Sequence, residues 1–172
     1  MAITMYKSSV PIFIQFLGGL SGVLDKAQAH IDARKLDPGY FMTLRIFPDM
    51  HPFVRQVRAS TDHAISASSR IAGVEPIKFD NTETSIADLK ERIAKTIAFL
   101  KTIKPEQLDG QEDKDITIVF PNGAERKFTG QTFLLNFSLP NFYFHTTTAY
   151  DILRNAGIEI GKRDFMGTPV QA

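Results

Sequence analysis

Apolar residues recur at spacings of three and four from Thr4 to about Arg34, and this period predicts a long amphipathic helix. Pro11 lies inside the pattern, so we expect the helix to start or kink there. Gly18, Gly19 and Gly22 each weaken the helix by roughly 1 kcal/mol relative to alanine. Their small size favours close approach by another part of the chain.

A short helix and a second long helix follow. Asp37-Pro38 has the residue types of an N-cap and a first helical position. Asp49 is the expected N-cap of the second long helix, with Pro52 in the first turn. Gly73 is the expected end, because glycine readily adopts the left-handed conformation of a helix stop.

The next segment predicts a third long helix and a hairpin. Ser85 and Asp88 have the spacing of a capping box at the start of that helix. Ile116, Ile118 and Phe120 then alternate with Thr117 and Val119, and a Pro-Asn-Gly turn at 121–123 leads into residues 125–128. This pattern predicts a small antiparallel β-hairpin.

A fourth long helix is predicted from about Gln131 to Asn155, with a kink at Pro140 and a stop at Gly157. The remaining tail lacks a regular period, and we expect it to dock over the helices or to exchange with a second subunit. The sum is an all-α fold. It is an antiparallel four-helix bundle with a β-hairpin between helices three and four, in one domain spanning residues 1–172.

Composition excludes several classes of function. The chain has 172 residues, with 20 Lys and Arg against 19 Asp and Glu, so no strong field favours nucleic acid. It has no cysteine, which excludes disulfides and thiolate metal sites. No uninterrupted apolar run approaches the ~20 residues of a membrane span, and the N-terminus lacks the features of a signal peptide. We therefore expect a cytoplasmic protein that binds neither nucleic acid nor membrane.

Three stretches resemble a known family. They are MYKSSVPIFIQFLGGLSGVLDKA, FPDMHPFVRQVRASTDHA followed by RIAGVE, and LPNFYFHTTTAYDILRNAGIEIGKRDFMG. Together they resemble a bacterial family of unknown function in the DinB/YfiT-like superfamily. The resemblance implies a four-helix bundle, often dimeric, that holds a divalent metal such as Zn or Ni. It also implies thiol-transferase, isomerase or metal-dependent hydrolase activity among relatives.

The metal ligands of that superfamily are usually three histidines, one from the second helix and two from an HxxxH pair. The pair is absent here, because Asn141 and Ala149 stand four residues before and after His145. His63 matches the second-helix ligand. His63 and His145 are therefore the candidate metal ligands.

A third ligand is needed, and Asp62, Asn141 and Tyr150 are the candidates. The alternative is that both histidines are hydrogen-bonded residues of a bundle that has lost its metal. His30 is expected to be solvated. His51 is expected at an exposed position in the first turn of the second long helix, and the alternative is that it approaches the mouth of the bundle. Asp62 is expected to pair with Arg58, four residues earlier.

The fourth helix carries aromatic residues around more than half of its circumference. One interpretation is a fully buried helix. A second is a pocket for a small ligand, with Asn141, Tyr143 and Tyr150 as candidate binding residues beside His145. A third is a homodimer interface.

Two functions follow from these features. The first is a small-ligand-binding or interaction homodimer with a degenerate metal site. The alternative is a divalent-metal-dependent hydrolase or thiol transferase that uses His63 and His145.

Overall fold

The computed structural model describes residues 3–120 and 122–170, and within these residues it is mostly helical with a two-stranded antiparallel sheet. The helices and strands have the following bounds: α1 Val10–Arg34, α2 Pro38–Thr43, α3 Phe53–Ala72, α4 Ile86–Leu100, α5 Pro105–Leu108, β1 Asp115–Val119, β2 Glu125–Thr129, α6 Gly130–Phe133, a π-helical turn Leu134–Ser138, α7 Leu139–Asn155 and α8 Lys162–Met166.

Four long helices enclose the core. α3 contacts α1, α4 and α7, while α1 also contacts α4 and α7. The apolar stripes of these helices therefore face one another, as the helical period predicts. Their largest fully buried side chains include Phe13, Leu17, Leu20, Leu24, Phe53, Ile71, Leu89, Ile93 and Phe142.

Prolines decide where two of the long helices begin. α1 starts at Val10 with Pro11 in its first turn, so the predicted start near Thr4 is wrong and the predicted start at Pro11 is confirmed. The predicted cap at Asp49 is also wrong. Pro52 is extended, with φ −67° and ψ 162°, and α3 begins after it at Phe53. Proline fixes φ and restricts the residue before it, so helical geometry does not extend back to Asp49.

The predicted fourth helix is interrupted before Pro140. Instead of one kinked helix, α6 and α7 are joined by the π-helical turn, in which the Leu139 N–H donates to the Leu134 carbonyl. Pro140 has no N–H, and its ring clashes with a carbonyl four residues earlier. A wider turn relieves that clash, which is why the irregularity precedes the proline.

The predicted hairpin is confirmed, with Asp115 opposite Thr129 and Val119 opposite Glu125. Gly123 has a φ of +80°, which suits glycine in the turn. Pro121 of the predicted turn lies outside the described residues. The Lys114 ammonium donates to the Ile71 carbonyl at 2.9 Å, which attaches the start of the hairpin to the end of α3.

The tail docks over the helices, one of the two predicted arrangements. Its helix α8 packs on α1, and Phe165 contacts the rings of Phe16 and Tyr150 at 5.3 and 5.7 Å between centroids. Gln15 donates to the Met166 carbonyl at 2.8 Å. Gly19 makes this close approach possible.

α1 is more apolar than expected from the absence of an uninterrupted run as long as a membrane span. With 25 residues, it is long and apolar enough to cross a membrane by length and composition, although polar residues interrupt it. Half of its most apolar window is buried inside the structure. That burial is also found in the core helix of a globular domain.

A buried arginine attaches the crossover between α3 and α4 to both helices. Arg92 is 2% exposed, and its guanidinium contacts Asp62 of α3 at 2.5 Å and Glu83 of the crossover at 2.7 Å. It also donates to Thr61 at 2.6 Å and to the Asn81 side chain at 2.9 Å. A buried cation is tolerated only when it is paired and hydrogen-bonded, and Arg92 meets both conditions.

The expected Asp62–Arg58 pair is therefore wrong. Arg58 instead contacts Glu83, with 2.6 Å between its Nε and a carboxylate oxygen. Glu83 lies between two arginines from different helices. Its side chain is 10% exposed, against 57% for Asp62, so water weakens the ion pairs of Glu83 less than that of Asp62.

We predict that Arg92→Met lowers the free energy of unfolding by about 3–5 kcal/mol, because it removes one of the two arginines paired with Glu83 and leaves Asp62 without an ion pair. Lys95→Met is the matched control on the same helix. It removes an exposed pair with Glu91 and should change the value by less than about 0.5 kcal/mol. Urea unfolding measures both, and equal effects would contradict the structural role of Arg92.

We predict opposite effects for two neighbouring glycines of α1. A Cβ at Gly19 meets the Phe165 carbonyl oxygen at 2.6 Å, so Gly19→Ala should destabilise by about 1–3 kcal/mol. A Cβ at Gly18 meets nothing within 4 Å, so Gly18→Ala should stabilise by up to ~1 kcal/mol through helix propensity. Thermal and urea unfolding measure both variants. An equal stabilisation by both would show that α8 does not pack as described.

Candidate functional site

A cavity of about 310 Å³ lies where α3, α7 and the crossover meet. Most of its lining residues are polar or charged: His51, Arg55, Arg58, Ala59, Asp62, His63, Asn81 and His145. We call it the histidine cavity. A larger cavity of about 640 Å³ lies between the end of α3, the crossover and β1, but its lining residues include no histidine.

The candidate ligands His63 and His145 come together, as the sequence predicts. Their rings are stacked with centroids 5.6 Å apart and planes 15° apart. His51 joins them, with its ring 6.5 Å from that of His145 and nearly parallel to it. The sequence expectation that His51 is merely solvated is thus incomplete, because this exposed side chain also lines the cavity.

Gln56 determines which nitrogen of His145 carries the proton. The Gln56 amide nitrogen donates to the His51 carbonyl at 3.0 Å, which directs its oxygen toward His145. That oxygen lies 2.7 Å from His145 Nδ1 and can only accept. A neutral His145 therefore carries its proton on Nδ1 and has a lone pair on Nε2.

Arg55 determines the tautomer of His51 in the same way. Its Nε–H donates to His51 Nε2 at 3.3 Å, so a neutral His51 has its proton on Nδ1. His63 differs from both, because its imidazole makes no hydrogen bond to any residue of 3–120 or 122–170. Its neighbours include the Phe137 ring, 5.7 Å away between centroids.

All three imidazoles are neutral near pH 7. Burial lowers the pKa of His63 to about 4. Burial also lowers the pKa of His145 to about 4, assisted by the nearby charges of His63, His51 and Arg55. Partial burial lowers the pKa of His51, and Arg55 and Arg45 lower it further. Each ring therefore offers one N–H donor and one lone pair.

A single metal ion does not fit these side chains as they are arranged. An imidazole lone pair lies in the ring plane, and the stacked rings of His63 and His145 confine their lone pairs to two separate, nearly parallel planes. The Nε2 lone pair of His51 is engaged by Arg55. Across residues 3–120 and 122–170, no group of three His, Cys, Asp or Glu side chains is placed to hold one ion.

Of the candidate third ligands, Asp62 lines the histidine cavity, where it pairs with Arg92. The other candidate residues, Asn141, Tyr143 and Tyr150, lie outside it. Asn141 donates to the Phe137 carbonyl at 2.7 Å, and Tyr143 packs edge-to-face on Phe16 at 5.1 Å. The Tyr150 hydroxyl donates to the Ile160 carbonyl at 3.5 Å. Asn141 and Tyr150 are thus not beside His63 and His145 as a third ligand, and the binding roles of all three residues stay predictions.

Comparison with known proteins identifies the family. A protein-family model described as "Domain of unknown function (DUF1993)" matches residues 5–166. The chain belongs to the DUF1993 family.

Its fold also has a solved relative. The DUF1993 chain is similar to the crystal structure of a DinB family member protein from Shewanella denitrificans, with a TM-score of 0.86 and 33% sequence identity. The similarity covers 97% of this chain and 94% of that chain. A search of curated proteins returns no match. The sequence resemblance to a DinB-like family of unknown function is confirmed.

Sequence analysis of this DUF1993 chain missed Arg55, and for His51 it favoured an exposed turn position over the mouth of the bundle. Both belong to the run HPFVRQ at the start of α3, where Arg55 follows His51 by four residues. The signal available is that His51 lies just before the first turn of α3 and Arg55 within that turn, so the two can share one side of it. Nothing in the sequence indicates that this side faces His145, ninety-four positions after His51.

We predict that acid destabilises the folded protein between pH 6.5 and 4. A histidine whose pKa is lower in the folded state than its ordinary 6.5 binds fewer protons when folded, so falling pH favours the unfolded chain. The free energy of unfolding should decrease by on the order of 2 kcal/mol across this window, after allowance for solvent screening of these half-buried rings.

The variant His63→Leu should lose about half of this pH dependence. His30→Gln is the control, because it removes a histidine of α1 that does not line the cavity. Urea unfolding at a series of pH values measures all three proteins. A wild-type free energy of unfolding that is constant from pH 6.5 to 4.5 would contradict the buried neutral imidazoles.

Proposed function

We propose that this DUF1993 domain binds a small ligand in the histidine cavity without a metal ion. The observation that supports the proposal is the hydrogen bonding of His145, which leaves one ring nitrogen without a partner. The Gln56 side-chain oxygen accepts from the His145 Nδ1–H, with 2.7 Å between oxygen and nitrogen, and leaves the Nε2 lone pair available. The imidazole of His63 beside it has no hydrogen-bond partner among the described residues.

An open polar cavity with unpartnered donors and acceptors is typical of a binding site. The two rings expose their free nitrogens next to Arg55 and Asn81, which also line the cavity. A few convergent polar groups determine the orientation of a small ligand. Burial keeps the imidazoles neutral, so they act as hydrogen-bonding groups rather than as charges.

The finer aspects of fold and assembly are part of the same proposal. α1, α3, α4 and α7 form an antiparallel four-helix bundle of the DinB/YfiT kind, in a cytoplasmic bacterial protein that acts as a homodimer. Support for the homodimer comes from aromatic side chains that are more than half exposed, namely Tyr40, Phe47 and Phe144. Exposed aromatic side chains are enriched in protein interfaces.

The second candidate is a divalent-metal-dependent hydrolase or thiol transferase that uses His63 and His145. It is favoured by His51, which brings a third neutral imidazole within 6.5 Å of the His145 ring. It requires a rotation of at least one ring, so that the lone pairs converge on one ion, and displacement of Arg55 from His51.

Metal content and thermal melting distinguish the two candidates. We predict that protein purified without a histidine tag contains far less than one Zn, Ni or Mn per chain. Adding each ion should leave the melting temperature unchanged. The second candidate predicts instead about 2.7 kcal/mol of stabilisation at 100 times Kd, and several degrees of shift that His145→Ala abolishes and His30→Ala retains.

Ligand binding itself is measured from the histidine ring signals in NMR spectra. A screen of small molecules should include compounds that shift the signals of His63 and His145 together. Compounds that shift neither ring, combined with stoichiometric metal, would replace the proposal with the second candidate.

A further inference from the structure

The histidine cavity has an excess of positive charge. Arg55, Arg58 and Arg92 supply three guanidinium groups in or behind its wall, and Asp62 and Glu83 supply two carboxylates. Three positive charges minus two negative charges leave one positive charge, and the neutral imidazoles do not change this sum. Arg45, which also lowers the pKa of His51, adds a further positive charge nearby.

The uncompensated charge belongs to Arg55. Arg58 is paired with Glu83, and Arg92 contacts both Glu83 and Asp62. Arg55 is exposed and forms no ion pair within the described part of the chain. Its Nε–H binds His51, so the four N–H groups on its two terminal nitrogens are available. A guanidinium with two free nitrogens binds a planar or tetrahedral oxyanion through parallel hydrogen bonds.

Two neighbouring imidazoles supply a donor and an acceptor. His51 presents its Nδ1–H as a donor because its Nε2 accepts from Arg55. His145 presents only an acceptor, because Gln56 accepts from its Nδ1–H and leaves the Nε2 lone pair. An anion with acceptors alone would leave that lone pair without a partner.

We propose that the ligand of the histidine cavity is a small oxyanion that also carries an O–H group, with the oxyanion on Arg55 and the O–H donating to His145 Nε2. Hydrogen phosphate and a 2-hydroxy carboxylate share this chemistry. The cavity volume of about 310 Å³ accommodates either molecule. This proposal rests on the ligand-binding function proposed above, because it specifies the chemical class of that ligand.

Two matched pairs of anions test the proposal at pH 7 and constant ionic strength. Inorganic phosphate is compared with sulfate, and glycolate is compared with acetate. Sulfate and acetate have the oxyanion without the O–H group. We expect phosphate or glycolate to shift the His145 ring signals and to bind at least tenfold more tightly than its partner. The pair that responds identifies phosphate or hydroxy acid as the source.

Variants of Arg55 test the anion contact. Arg55→Gln should weaken binding at least tenfold, while Arg55→Lys should restore part of it by retaining the charge. The side chain is exposed, so both variants should fold, which circular dichroism and thermal melting verify. Arg34→Gln removes an exposed arginine at the end of α1 and should bind as the wild type does.

Three results would overturn the proposal: no response to any of the four anions, equal affinity for both members of each pair, or wild-type affinity in Arg55→Gln. Neutral molecules tested in anion-free buffer distinguish a failure of the oxyanion proposal from a failure of the ligand-binding function on which it rests. If they shift the His63 and His145 signals while anions do not, only the oxyanion class is wrong. If no molecule of any class shifts them, both proposals are wrong.

Discussion

Arg92 is the residue on which the rest of this architecture depends. Removing a guanidinium from water is costly, and the cost is offset only where several groups accept its hydrogen bonds. Here those groups come from α3 and from the crossover that precedes α4. One side chain thus connects three segments. The centroid of the Phe79 ring also lies 4.2 Å from the guanidinium carbon of Arg92. Because the crossover has little regular structure, this contact determines where Asn81 and Glu83 lie.

The same network determines the electrostatics of the histidine cavity. Burial alone raises the pKa of Glu83, but hydrogen bonds and charges from Arg92 and Arg58 outweigh it and hold the pKa below its ordinary value. Glu83 stays ionised and forms ion pairs with two arginines. Asp62 is occupied by Arg92. Burial raises the pKa of Asp62 and the charge of Arg55 helps to oppose that shift, but no carboxylate of the described residues lies within ion-pair distance of Arg55. This excess charge is the property that favours an anionic ligand.

Local signals predicted the helices well wherever a capping residue or a proline acts through the nearest turn. Ser85 and Asp88 form the expected capping box, with backbone bonds of 3.1 and 2.9 Å. Gly73 has the expected positive φ at the end of α3. Pro140 was expected to kink one continuous helix. The actual response is a π-helical turn before it, because periodicity does not distinguish a kink from a widened turn.

The sequence by itself determined the long amphipathic helices, the hairpin and the DinB-like family, because each depends on residues within a few turns of one another or on a long matching motif. It also indicated His63 and His145. The tertiary structure alone decided that His51 and Arg55 lie beside them and that Gln56 orients His145. It also decided that Asp62 pairs with Arg92 and not with Arg58. These contacts join residues that are distant in the chain, and their geometry depends on how whole helices pack. No local pattern encodes such a meeting point.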